Sequence, residues 1–490
     1  MLKNTIILTL SLVLGATMYA QNEDDALRYS ETFFGGTARN MGYAGALSAM
    51  GGDFSNATQN PAGLGRLTKS NFSFTQNVEV NQGSAQFGNN ISRSVQAKYN
   101  WSNFSYVKAY ELNPNKFKNW YAVQIGLGFN RIKSFNQKYN YEGVADSSIL
   151  HSFIREAEGT YPEDIYNYHP FTAGLAYDTY AIDPAGSNTY STQAQAGGIF
   201  HRRSLERTGG MNEFNLLTVS GNYGNKLLVG ASFNYLRIRF NESFTHSEDF
   251  ADSSWVESLD YTGSLNIKGN GMNARFGLIY MPIPQLRIGA AVETPSIYWM
   301  NDYWTNDMET ETKDGPKFVD PQFVPTGSYE YRVRTPFKAN FSAATVIKKF
   351  GSIGAEVEYV DYGNAKLSSR NFSTSFYSFN AENTQIDNIY RSVLNVKIGL
   401  EARINNQLYA RGGFAHYASP YKESSGNSTI GRRFITAGAG YNFGGWYIDM
   451  AYVLQMVTED YYAYDPTIEG SKSTFDFNNS RILFSVGARF

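Results

Sequence analysis

The sequence predicts an all-β protein, a transmembrane antiparallel β-barrel of about fourteen strands. Three observations predict it. Apolar and polar residues alternate with period two over long stretches, with charge confined to one face. Connections alternate between tight turns and long polar segments, as they do between the two rims of a barrel. The last ten residues place Ile482, Phe484, Val486, Ala488 and Phe490 on one face and Arg481, Ser485 and Arg489 on the other.

The N-terminus reads as an export signal. Lys3 precedes an apolar stretch, Thr5–Leu14, that is too short to span a bilayer, and small residues lead to an expected cleavage after Ala20. The expected organisation is a signal peptide at 1–20, a compact segment at 21–68 and a barrel at 69–490, in the outer membrane of a Gram-negative cell. The chain holds 36 Tyr, 34 Phe and 45 Gly, with no Cys and a formal net charge of −2. That balance gives no basic footprint for nucleic acid, and without cysteine no disulfide framework supports the fold.

Turns at Gly224-Asn225, Pro282–Pro284, Gly351 and Asn405-Asn406 divide the chain into strands. The expected spans are 69–83, 95–110, 119–133, 211–224, 226–244, 256–281, 285–305, 326–348, 351–366, 388–404, 406–420, 430–443, 445–458 and 476–490. The clearest is Val393–Ile404, where Leu394, Val396, Ile398, Leu400, Ala402 and Ile404 oppose Asn395, Lys397, Gly399, Glu401 and Arg403. Trp299, Tyr303, Trp304, Tyr461, Tyr462 and Tyr464 are expected in girdles at the lipid–water interface.

On the third strand, Gly126, Gly128 and Asn130 share the face opposite Ile125, Leu127 and Phe129. Paired glycines there mark either a bend with close backbone approach or an easing of barrel curvature. In the connection that follows, Asp146–Gly159 reads as a short helix with Asp146 as N-cap and an apolar face of Ile149, Leu150, Phe153 and Ile154. That face serves either as a hydrophobic groove for an extracellular ligand or as packing on the barrel mouth.

Alternation turns Arg275, Arg287, Lys338, Lys397, Arg403, Glu293, Glu356, Glu358, Glu401 and Asp449 into the lumen, where mixed charge networks are common. The histidines, at 151, 169, 201, 246 and 416, show no metal-ligand spacing, and none stands beside a persuasive serine nucleophile. Neither catalysis nor a cofactor or metal is expected.

Before the first strand, Ser30–Leu67 is dense in Gly, Ala and Asn. Gly36-Thr37-Ala38-Arg39, the run through Gly51-Gly52, and Asn60-Pro61-Ala62-Gly63 together resemble the N-terminal hatch of the FadL-type outer-membrane transport family. Thr294-Pro295 after a long strand and the terminal Phe490, similar to a barrel-assembly signal, extend the resemblance. It implies a channel for hydrophobic molecules, above all long-chain fatty acids. The cargo is captured at extracellular loops, the hatch in the lumen moves, and the cargo leaves sideways at a kink in strand three. Arg39 and Arg275 are the candidate partners of a ligand carboxylate. The implied partners are the hydrophobic ligand, outer-membrane lipid and the barrel-assembly machinery, with a monomer expected. The same resemblance covers barrels that shuttle or anchor secreted surface proteins, and relatives described as hemin receptors; both readings stay open.

Overall fold

A computed structural model describes residues 22–370, 377–425 and 431–490. The expected signal peptide, at 1–20, lies outside the described residues. Period-two alternation becomes a closed antiparallel wall of fourteen strands. They are β1 (Asn71–Phe87), β2 (Asn90–Glu111), β3 (Trp120–Ser134, continued by Gln137–Ala145), β4 (Ile199–Tyr223) and β5 (Leu227–Asp249). Next come β6 (Val256–Ile283), β7 (Leu286–Glu293, continued by Ile297–Thr312), β8 (Thr326–Arg334, continued by Lys338–Ile347) and β9 (Gly351–Asp361, continued by Lys366–Ser369). The wall ends with β10 (Ser392–Arg403), β11 (Leu408–Tyr417), β12 (Arg432–Phe443), β13 (Trp446–Tyr462) and β14 (Lys472–Arg489). Closure is a continuous ladder from Asn71↔Arg489 to Gln86↔Thr474, and Ser70 and Phe490 exchange both backbone hydrogen bonds at 3.1 Å. No backbone edge is left open at this seam, which is what a strand-built wall in lipid requires.

The outer face is apolar where the wall crosses the membrane. Leu394, Ile398, Leu400, Ile435, Ile482 and Phe341 are each 47–64% exposed, and burying such surface in water-free lipid removes the penalty of leaving it wet. Farther toward the long-loop end the faces exchange roles. On β5 the outward residues pass from Val229 and Phe233 to Arg237 and Asn241, while the inward ones pass from Ser232 and Asn234 to Leu236, Ile238 and Phe240. On β14 outward Ile482 and Phe484 give way to inward Phe475 and Phe477. The exchange marks the membrane surface. Beyond it the strands form a projecting cup with a hydrophobic interior.

This cup explains the largest departure from the expected spans. β3 and β4 run on to Ala145 and back to Ile199, well past the expected 133 and 211, because Gln137–Ala145 pairs with Ile199–Arg207. Their polar outer face out there had suggested a loop. The girdle also needs correcting. Trp299, Tyr303 and Tyr462 face outward, but Trp304 turns inward against Phe171, Tyr464 is buried, and the Tyr461 hydroxyl bonds inward to Arg203. Each of these three belongs to the cup interior rather than to lipid.

Two connections at the long-loop end carry short α-helices. Between β3 and β4 lie α3 (Leu150–Ala157), α4 (Ile165–Tyr168) and α5 (Ala173–Asp178), which fold over the cup as a cap. α3 starts later than expected, at Leu150. Asp146 does not cap it: its Oδ1 accepts from Gly198 N, and the Ser148 hydroxyl takes the Leu150 amide at 3.0 Å. Gly159 follows the helix end with φ +90°. In the β9–β10 connection, Asn380–Ile389 forms a helix that packs against the N-terminal segment.

Inside the wall, residues 22–70 form a plug. It contains α1 (Glu23–Ser30), α2 (Ala38–Gly42) and two single 3₁₀ turns, Phe54–Thr58 and Pro61–Arg66. Thr37 caps α2 by accepting from Asn40 N, and Asp53 holds both Ser55 N and the Thr37 hydroxyl. Gly51 and Gly52 at φ +69° and +76° reverse the chain so that Gly52 N reaches Gly63 O at 2.9 Å, a conformation that side chains resist.

Candidate functional site

The site is built from the plug upward. Asn60 accepts from Ala62 N at 3.2 Å, starting the turn that Pro61 favours by its fixed φ, and donates across to the wall at Leu278 O at 3.2 Å. Ser220 and Ser232 donate to Ala62 O and Ala57 O, Thr436 to Gly42 O, and Ala38 N donates to Ser485. These bonds reach strands on opposite sides of the lumen, so the plug is seated around its rim.

Close seating needs a smooth wall, and the inward glycines supply it. A Cβ on Gly277 would lie 2.0 Å from the Asn60 side chain, and one on Gly399 would lie 2.3 Å from Tyr43. At Gly230 and Gly354 it would meet backbone of Pro61-Ala62 and Ala46. Sequence reading missed these seats. The signal was present as glycines recurring on the inward register of several strands.

The third strand leaves the wall where the plug begins. The β2–β3 ladder runs from Glu111↔Ala122 to Asn103↔Asn130 and then stops among the described residues, although β2 continues to Asn90 on the β1 side. The β3–β4 register slips between Gly126 and Gly128 and again between Arg131 and Lys133. Past these bulges β3 bends inward over β1, where Ser134 and Asn136 reach Glu79. Gln96 and Lys98 of β2 then meet Glu206 of β4 directly, at 2.7 and 3.6 Å. A Cβ on Gly128 would lie 2.6 Å from the backbone oxygen of Phe104 on β2 and 2.7 Å from the Phe54 ring, and one on Gly126 would meet Leu64 and Val107, so what the plug brings here is side chains rather than backbone. Asn130 is fully buried between Asn103 and Asn215. The plug closes the gap: Phe33 N donates to Ile132 O at 3.1 Å and Ser102 donates to Gly36 O at 2.8 Å. Gly36, with φ +102°, turns the chain at this contact.

Above the plug, α1, the cap and the upper strands enclose a cavity of about 1490 Å³. Phe135, Phe153, Phe240, Phe244, Tyr261 and Phe477 supply its apolar surface. Of the expected groove residues, Ile149, Leu150 and Phe153 are buried in the core beneath the cap, with Ile154 packed beside it; Ile149 and Phe153 also line the cavity. The apolar face thus points down into the cup.

Charge in the cavity is largely paired. Glu31 lies 3.2 Å from both Lys133 and Arg432, and Arg207 lies 2.6 Å from Glu242. Burial pushes the Glu31 carboxyl up, and Arg432 and Lys133 more than reverse this, holding it at about 2. Arg203 differs. It donates to the Tyr461 hydroxyl at 2.8 Å and stacks 4.3 Å from the Phe244 ring centre, but its Nε and Nη1 have no hydrogen-bond partner among the described residues. No carboxylate pairs with it among those residues.

The two arginines expected to hold a ligand carboxylate are already engaged. Arg39 pairs with Glu401 at 3.2 Å and donates to Gly52 O. Arg275 lies between Glu293 at 2.7 Å and Glu213 at 2.8 Å. Lys397 pairs with Glu356 at 2.6 Å, and Arg287 donates to Met50 O. Arg403 is exposed at the turn after β10 rather than inside the lumen, because the wall ends there. His201 and His246 are buried within the cup wall, and burial pushes His246 down to about 4.

No family model matches the chain, and no curated protein sequence does. Among solved structures it is similar to a FadL homologue from Pseudomonas aeruginosa, with 13% identity, a TM-score of 0.56, and coverage of 94% of this chain and 100% of that one. It is similar to the toluene transporter TodX from Pseudomonas putida, with 13% identity, a TM-score of 0.55 and the same two coverages. The closed fourteen-stranded wall and these likenesses make this chain a barrel of the FadL fold.

Proposed function

We propose that the protein is an outer-membrane channel for the uptake of hydrophobic molecules, and that long-chain carboxylates are its cargo. The observation that carries this reading is the cavity above the plug, where aromatic rings surround a buried arginine that has no carboxylate partner among the described residues. Uncompensated burial of a guanidinium is costly, and a carboxylate arriving with an alkyl chain supplies both missing bonds and apolar surface. The similar structures described as a toluene transporter and a FadL homologue support hydrophobic cargo.

The route follows from the geometry. Cargo enters beneath the cap, with Ile149 and Phe153 as apolar contacts and Arg203 holding the head group. The plug blocks the lumen below, and its 33–36 segment stands at the gap between β2 and β3. Displacing Phe33 and Gly36 from Ile132 and Ser102 opens that gap toward lipid, so the alkyl chain avoids a wet pore.

Binding of oleate and of oleyl alcohol to the purified barrel tests the assignment. Loss of one charge-assisted contact in Arg203→Gln weakens oleate binding by about tenfold or more and leaves the alcohol nearly unchanged. Equal effects on both ligands contradict the carboxylate role. Absence of specific binding, with secreted proteins co-purifying instead, favours a shuttle or anchor.

A further inference from the structure

Register, rather than sequence spacing, brings together three side chains that nothing above uses. In the β4–β5 ladder His201 stands opposite Glu248, and Arg203 opposite His246. Inward-facing His201, His246 and Glu248 therefore converge on one spot in the cup wall. All three are 0% exposed. One ligand atom from each can be chosen so that all lie within 4.8 Å of one another.

The distances suit an ion. Glu248 Oε1 is 2.9 Å from His246 Nε2 and 3.3 Å from His201 Nδ1. Ligands at about 2.0–2.2 Å from a tetrahedral zinc stand near 3.3 Å from each other. Two neutral imidazoles and one carboxylate are also the ligand set of a zinc centre that keeps a further position for a solvent oxygen. The hydrogen-bonded alternative is incomplete here. His201 Nδ1 faces the Glu248 carboxylate at 3.3 Å without good hydrogen-bond geometry, and His201 Nε2 and His246 Nδ1 have no hydrogen-bond partner among the described residues. Buried polar atoms are seldom left so. Two imidazole nitrogens beside a single carboxylate favour an ion held by strong nitrogen donors over calcium or magnesium, which take oxygen ligands.

We propose that His201, His246 and Glu248 bind a divalent ion of the zinc type, which staples the cap to the rim of the barrel. The link to the cap is direct. Glu248 accepts from Ile149 N at 2.8 Å and from the Ser148 hydroxyl, the two residues that lead into α3. Fixing the Glu248 carboxylate fixes the start of the helix whose Phe153 lines the cavity. The ion is thereby a structural element of the cargo entrance, distinct from the arginine that meets the head group.

The test uses the full-length barrel, purified with a histidine-free tag, stripped with chelator and dialysed against zinc. Metal analysis is expected to find about one zinc per barrel, with the cobalt form showing the intense visible bands of tetrahedral coordination. His201→Ala and His246→Ala are each expected to lower the content to near zero, whereas His151→Ala and His169→Ala leave it unchanged. Heat-modifiable migration on gels shows whether each variant keeps its barrel; the cobalt spectrum of the unaltered protein decides the matter if a variant does not. Zinc is further expected to slow proteolysis within 146–198. No zinc in the unaltered barrel, or zinc retained in the His201→Ala/His246→Ala double variant, overturns the site. Bound zinc that leaves cap proteolysis unchanged overturns the staple.

Discussion

At the scale of single residues, the decisive feature is which charges are satisfied. Arg39 and Arg275 look available in the sequence because alternation shows that a cation faces the lumen, but not what stands across from it. Glu401, Glu213 and Glu293 occupy those places, and breaking such buried pairs costs several kcal/mol. Arg203 was hidden for the opposite reason. It sits where the outer face is polar, so its segment reads as a loop. Glu31 carries a pH prediction. Its carboxyl is held at about 2, below the ordinary value of 4.5, so it stabilises the seated plug fully above pH 4.5. That contribution, on the order of 2–3 kcal/mol, fades as pH falls from 4.5 toward 2. Hydrogen exchange in α1 should accelerate over that window, and Glu31→Gln should remove the part of the pH dependence that Glu31 supplies. An unchanged profile in the variant would assign the effect to other carboxylates.

At the scale of elements, fourteen strands were legible because lipid outside and polar lumen inside impose one face per residue parity. Legibility ended where that contrast ends. Beyond the membrane surface β3 and β4 carry polar residues outside and apolar residues inside, a reversed signal that reads as loop when only the lipid-facing pattern is sought, whereas on β5 the expected span 226–244 already reaches into this region. Gly126 and Gly128 mark the place where β3 bends: register shifts flank them, and Phe54, Leu64 and the Phe104 backbone leave no room there for a side chain. The His201–Glu248–His246 cluster needed the hairpin register, which no spacing of 45 residues reveals. The glycine seats yield a prediction. Gly399→Val drives a side chain into Tyr43 and should unseat the plug while the strands stay paired. Trypsin cleavage at Arg39 should rise several-fold and planar-bilayer conductance should increase. Gly412→Val, whose Cβ finds only Thr436 O at 3.7 Å, should do neither. Equal behaviour of the two variants would show that the seats do not hold the plug.

At the scale of the molecule, the barrel, the plug and the cup divide the work. The wall crosses lipid, the cup holds an aromatic cavity at the long-loop end, and the plug lies between that cavity and the short-turn end. The central claim is that cargo passes only when the plug moves. Ser48 on the plug faces Asn340 on β8 across 3.5 Å, and the chain holds no cysteine. Ser48→Cys with Asn340→Cys therefore gives a lock with no competing thiol. Uptake of a fluorescent long-chain carboxylate into vesicles carrying this variant is the direct measurement. Oxidation should reduce uptake to the level of protein-free vesicles, and reduction should restore it. Uptake that is the same with the disulfide closed and open would contradict the account.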